Sequence, residues 1–146
     1  MSAHAPVPDE IRKELTIHAT RQQVWAAITE PEQLKRWFPT HDATVGLRPG
    51  GQIYLEWEDM SATGVFDEID PLNRLVFRWH PAGDDHPSTS VEFTLTDAEG
   101  DDATLLTVVE RGFAQLPPES REGNVEGWTS ELQELVDYLA TLKPRH

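Results

Sequence analysis

Glu110 is the residue of this chain best placed for chemistry: a carboxylate closing an apolar run, Leu105 to Val109, directly before Arg111 and Gly112. A carboxylate turned into an apolar interior is pushed towards its neutral form. It can then act as general acid, general base or acceptor for a ligand hydroxyl. The plainer reading, and the favoured one on these residues alone, is a strand-end Glu at the solvent rim, paired with Arg78 or Arg111. Alternation along the run does not decide, because Leu105, Leu106, Val108 and Val109 offer apolar side chains to both faces. Burial of Glu110 separates the two readings.

The large aromatic residues form a second candidate set. In the segment from Arg74 to His80, Leu75, Phe77 and Trp79 point one way while Val76, Arg78 and His80 point the other. Val91, Phe93 and Leu95 form a similar apolar set, as do Ile53, Leu55 and Trp57. Such residues fill cores in most domains, and they also wall ligand pockets, which are apolar with a few polar groups. Composition leaves both readings open, and a one-residue slip in register would invert each set.

Other chemistries find little support. Of the histidines, His4 and His146 fall near the termini, while His18, His41, His80 and His86 lack the short spacing that puts two metal ligands on one face. The acidic stretch Asp97 to Asp102 lacks the ligand pattern of a calcium loop and reads as a solvated hairpin turn. There is no phosphate-binding glycine loop, nucleophile elbow or dinucleotide fingerprint. No cofactor and no metal are therefore expected. Catalysis would rest on one or two ionisable groups in a pocket, with Glu110 the first candidate and His41, beside Trp37 and Phe38, a distant second. That weak signal puts binding ahead of enzymatic activity.

Lys and Arg number 12 against 26 Asp and Glu, a formal net charge of −14. Phosphate backbones and anionic membrane surfaces repel such a chain, and no basic patch concentrates against them. The charge favours solubility through self-repulsion or attraction to a basic protein surface. No apolar run reaches the roughly 20 residues of a membrane-spanning helix. With no cysteine, disulfides and thiolate sites are excluded. The opening MSAHAPVPDE does not resemble a secretory leader, so a cytoplasmic location is expected.

These side chains need elements to hold them. Ile11, Lys13, Leu15 and Ile17 alternate with polar residues and predict a strand, with the Lys13 stem covering the edge of its buried face. Thr20 and Gln23 have the spacing of a capping box that opens a helix from Arg21 to Thr29. Pro31 ends that helix and opens a second, running to Trp37. Strands follow at about 44–47, 52–58, 64–69, 74–80, 88–96 and 103–110, separated by Pro-, Gly- and Asn-rich turns that imply antiparallel neighbours. Residues 112–123 show no periodicity and read as a loop. From Asn124 to Leu142, Val125, Trp128, Leu132, Leu135, Leu139 and Leu142 step by three and four, the stripe of an amphipathic helix. Such a helix after a run of strands must cover the sheet. The expected architecture is α+β: about seven curved antiparallel strands wrapped around a long closing helix. Residues 10–142 make one domain between tails at 1–9 and 143–146.

The ordered motifs resemble a known family. Ala19 with Val24-Trp25, then Trp37-Phe38-Pro39, Gly50-Gly51, Gly64-Val65-Phe66 and Glu68-Ile69-Asp70-Pro71 occur in its order. Arg74-Leu75-Val76-Phe77 with Trp79, Thr104 with Leu106, Gly112-Phe113 and Gly127-Trp128 complete the series. The pattern is similar to domains like the activator of heat-shock-protein-90 ATPase, within the START/SRPBCC superfamily and its helix-grip fold. The resemblance implies an antiparallel sheet around a long helix, enclosing an apolar pocket for a lipid-like or aromatic ligand. It also implies that Thr104, Leu106, Val108 and Glu110 face inward. The wall would comprise Trp37 and Phe38 near the helical pair, and Trp57, Phe77, Trp79, Phe93, Leu106, Val108 and Glu110 on the sheet. Trp128, Leu132 and Leu135 would close it from the helix. No shared catalytic set comes with the superfamily.

Three functions follow as expectations. The first is binding of a hydrophobic small molecule between sheet and helix. The second is a cyclase- or hydrolase-like activity of the same pocket. The third is a role as a chaperone ATPase co-regulator or as a stress-related protein-binding module, recruited to a chaperone or another basic protein surface. Nothing in the sequence selects a homodimer over a monomer.

Overall fold

The computed structural model describes residues 10–37, 42–56, 61–80, 89–98, 103–113 and 118–141. Strand β1 (Glu10–Ile17) leads into helices α1 (Arg21–Thr29) and α2 (Pro31–Trp37). Strands β2 (Asp42–Val45), β3 (Gln52–Glu56), β4 (Ser61–Asp70), β5 (Arg74–His80), β6 (Ser90–Asp97) and β7 (Thr104–Arg111) follow, and α3 (Pro118–Ala140) closes the chain. The strands form one antiparallel sheet in the order β1-β7-β6-β5-β4-β3-β2. This is the helix-grip α+β architecture that the ordered motifs imply.

The order places β1 and β2, neighbours along the chain, at opposite edges of the sheet. The α1–α2 pair must bridge that distance, and local chemistry fixes it. Thr20 caps α1: its hydroxyl accepts from the Gln23 amide at 3.1 Å, and the Gln23 side chain accepts from the Thr20 amide at 2.9 Å. Pro31 then restarts the helix, and the Trp37 indole N–H donates to the Ala27 carbonyl at 2.8 Å, locking α2 onto α1. A register shift between Phe66 and Glu68 of β4 bends the sheet. Gly64 lets β3, β4 and β5 come close, since a Cβ there would sit 2.9 Å from Ile53 Cγ2 and 3.0 Å from the Arg78 carbonyl oxygen.

Helix α3 lays Trp128, Leu132, Leu135 and Leu139 into the concave face, where all four are buried with Phe77, Phe93, Leu106 and Val108. Its first turns correct the sequence reading, which left residues up to Gly123 as a loop. The helix starts at Pro118, a residue suited to a first turn, and Glu122 and Gly123 are exposed. An exposed polar turn carries no apolar period, so nothing marked it as helical. Strand ends moved by up to three residues in both directions: β4 starts at Ser61 rather than Gly64, while β2 ends at Val45, short of Leu47. Phe38, His41, Trp57 and Leu142, with the segments 1–9 and 143–146, lie outside the described residues.

The ambiguity in β7 has a structural cause. Thr104, Leu106, Val108 and Glu110 face α3, while Val109, on the opposite face, is only 3% exposed. Cross-strand from Val109 stands Glu92, which joins Arg111 at 3.1 Å and Arg74 at 3.2 Å; Arg111 also reaches Glu10 at 3.3 Å. Burial raises the Glu92 carboxyl, but Arg111, Arg74 and the Thr94 hydroxyl outweigh that and hold it below the usual carboxylate range. The outer face therefore carries a charged lattice over an apolar residue.

Candidate functional site

Glu110 is 2% exposed, which corrects the favoured rim reading. Neither proposed arginine reaches it: Arg78 binds Asp67 at 2.7 Å, and Arg111 is turned to the outer face with Glu92 and Glu10. Alternation sends adjacent residues to opposite faces, so Arg111 and Glu110 are separated by the sheet itself. Among the described residues, three side chains donate to the Glu110 carboxylate instead. The Trp128 indole N–H approaches Oε1 at 2.8 Å and the Asn124 amide approaches the same oxygen at 3.1 Å. The Thr89 hydroxyl donates to Oε2. A carboxylate offers about four acceptor positions, of which the donors among the described residues fill three.

The elements explain the placement. Glu110 ends β7 between Ile11 of β1 and Val91 of β6. Asn124 and Trp128 are four residues apart on α3, hence neighbours on one helix face. Thr89 precedes β6; its carbonyl accepts from the Trp79 amide at 3.0 Å while its hydroxyl serves Glu110. One residue thus ties the carboxylate to the aromatic strand. From there a row of rings runs across the concave face. Trp79 meets Phe77 edge-on at 4.9 Å, Phe77 lies 6.3 Å from Phe93, and Phe93 meets Trp128 edge-on at 5.9 Å. Trp79 is half-buried; the others are buried.

The structure thus brings Phe77, Trp79, Phe93, Glu110 and Trp128 together, with Leu106 and Val108 behind them on β7. Leu132 and Leu135 follow along α3 in the same core. Trp37 donates to Ala27 of α1 and is not among the described donors to Glu110. Sequence reasoning missed Thr89, Asn124 and Glu131. The signal for two of them was present: Asn124 and Glu131 stand four before and three after Trp128. Among the described carboxyls, Glu131 is the one whose titration is raised, as that of Glu92 is lowered. Burial, and then the charge of Glu110, push Glu131 up to about 7.

Among the described residues, two grooves are lined by other side chains. One of about 550 Å³ lies between α2 and α3 and is lined by Arg36, Glu134, Asp137, Tyr138 and Thr141. Burial raises the Tyr138 phenol, which donates to Gln33 at 3.0 Å. The larger volume does not make it the better site, because its charged walls are open to solvent and hold no buried acceptor. The other, of about 180 Å³, separates α3 from β1 at Lys13 and Leu15. Among the described residues no cluster of three potential metal ligands occurs, and no helix is long and apolar enough to cross a membrane.

Residues 18–140 match the family model described as Activator of Hsp90 ATPase homolog 1-like protein. No curated protein matches the chain. Among solved structures, protein MLL2253 from Mesorhizobium loti superposes with a TM-score of 0.80 at 20% identity, covering 92% of this chain and 99% of that one. DynU16, from the dynemicin biosynthetic locus, gives 0.78 at 30% identity over 94% of this chain, which spans only 49% of DynU16. The Aha1 dimer from Colwellia psychrerythraea gives 0.78 at 18% identity, covering 89% of this chain and 95% of that one.

Proposed function

The chain belongs to the Activator of Hsp90 ATPase homolog 1-like protein family, and from that premise we propose that it binds a hydrophobic or aromatic small molecule between the sheet and α3. The observation that carries this reading is the buried Glu110 carboxylate, oriented by Thr89, Asn124 and Trp128 at the end of a row of four aromatic rings. A buried charge is costly and its retention needs a reason beyond packing. Here the aromatic row supplies apolar area, and the remaining acceptor position of Glu110 takes a ligand hydroxyl. DynU16, a protein of a biosynthetic locus, lends weight to a small-molecule ligand. A thermal-shift screen with fatty acids, sterols and polycyclic aromatics, with native mass spectrometry of the purified protein, tests the reading. At least one aromatic class should stabilise the wild type and lose its effect in Glu110→Leu. The absence of any stabilising compound and any retained mass would contradict it.

A second reading, chaperone co-regulation, draws on the family match and the net charge of −14. It predicts that the chain changes the ATPase rate of an Hsp90-type chaperone at low salt; an unchanged rate disposes of it.

A further inference from the structure

Glu131 occupies a flank of α3 that the binding reading leaves unused. Asn124, Trp128 and Glu131 step by four and three residues and so share one side of the helix. Thr129, Gln133 and Val136 turn the other way, towards Lys13 and Leu15 of β1. The Glu131 side chain leans back along α3, as helical side chains do. A Cβ added to Gly127 would stand 4.0 Å from Glu131 Oε1, and the glycine keeps that turn open. Glu131 is half-buried, yet no donor or cation among the described residues meets its carboxyl. Its neighbour Glu110 is the opposite case, a carboxylate surrounded by three donors. With its titration pushed up to about 7, Glu131 keeps its proton through the mildly acidic range and offers an O–H. The two carboxyls thus differ in hydrogen-bonding character, one accepting and one donating, as their environments dictate.

We propose that Glu131 is the donor half of the ligand site, presenting its O–H to a carbonyl oxygen, so that the site selects apolar ligands bearing a ketone. This rests on the binding reading above. The carbonyl satisfies a carboxyl that has no donor among the described residues, while the ring system lies along Trp79, Phe77, Phe93 and Trp128. Ionisation of Glu131 removes the donor and sets a negative charge against the carbonyl oxygen, so ketone binding weakens as pH rises. From β7, Glu110 faces this carboxyl; on β1, Lys13 and Glu14 line the opposite flank of α3. On α2, Arg36 lies further along the helix, against Tyr138.

The probes are tetralone and tetralin, which share a skeleton, differ by the ketone and do not titrate. Binding is measured by calorimetry at about pH 5.5 and about pH 8.5. In the wild type, tetralone should bind about tenfold tighter than tetralin at the lower pH and lose most of that advantage at the higher one. Glu131→Gln should keep the advantage at both, because its amide N–H donates without titrating. Glu131→Leu should abolish it at both. Binding of the two probes with a ketone advantage that ignores pH, or that survives Glu131→Leu, overturns the inference and leaves the binding reading standing. Failure of both probes to bind overturns the two together.

Discussion

Replacing Glu131 by Gln should remove a loss of stability that the wild type suffers on going from acid to neutral solution. The Glu131 carboxyl moves from an ordinary 4.5 to about 7 on folding, first through desolvation and then through the charge of Glu110. Between those values the native state holds a proton that the unfolded chain has released. Stability therefore falls as pH rises through this window, is fully present below about 4.5, and levels off above about 7. A displacement of that size corresponds to roughly 3 kcal/mol at most, and residual solvent contact at a half-buried side chain brings the expectation to roughly 2–3 kcal/mol. Urea unfolding followed by tryptophan fluorescence, at about pH 5 and about pH 8, measures it. Other titrating groups cancel when the pH dependence of the variant is subtracted from that of the wild type. Relative to wild type, Glu131→Gln should gain roughly 2 kcal/mol or more at the higher pH over its value at the lower. Equal differences at the two pH values would refute the claim that burial beside Glu110 holds the proton on Glu131.

Three further outcomes follow from the packing. Gly64→Ala should cost about 1–3 kcal/mol in urea unfolding, because the Arg78 carbonyl oxygen, 3.0 Å from the added Cβ, belongs to the neighbouring strand backbone and cannot turn aside as Ile53 can. Trp37→Phe removes the indole donor to the Ala27 carbonyl and should cost about 1–2 kcal/mol while leaving the Glu110 network intact. Indole resonances of Trp128 in heteronuclear NMR would report that independence. Glu92 is held below the usual carboxylate range on balance, so its stabilisation is present above the unfolded value and is lost as pH falls through the lower folded one. Glu92→Gln should flatten the acid limb of the stability curve, with a neutral-pH cost of less than about 1 kcal/mol because its partners Arg74 and Arg111 are exposed to solvent.

What the sequence made legible, and what it hid, divides along physical lines. Periodicity is a one-body signal, and it located α1, α2, β5 and the apolar stripe of α3, because each depends on which residues must avoid water. Thr20 and Gln23 showed the start of α1 because a capping box is local. The first turns of α3 carry no apolar stripe, so only the folded chain reveals them. Glu110 shows the same limit more sharply. Its own strand offered apolar residues to both faces, and burial of Val109 beneath the Glu92–Arg111–Arg74 lattice is what made the pattern double-sided. Its donors come from three places far apart in sequence, Thr89, Asn124 and Trp128. Glu131 was invisible as a titrating group because its burial and its proximity to Glu110 exist only once α3 lies in the sheet.

Heteronuclear NMR of the indole N–H groups during titration with tetralone gives the most direct test of a ligand site built around Glu110 and the aromatic row. The Trp128 and Trp79 signals should move together and saturate, while the Trp37 signal, bonded to Ala27 away from the Glu110 network, should stay in place. A stationary Trp128 signal, or shifts confined to Arg36, Tyr138 and Thr141 in the groove between α2 and α3, would contradict that site.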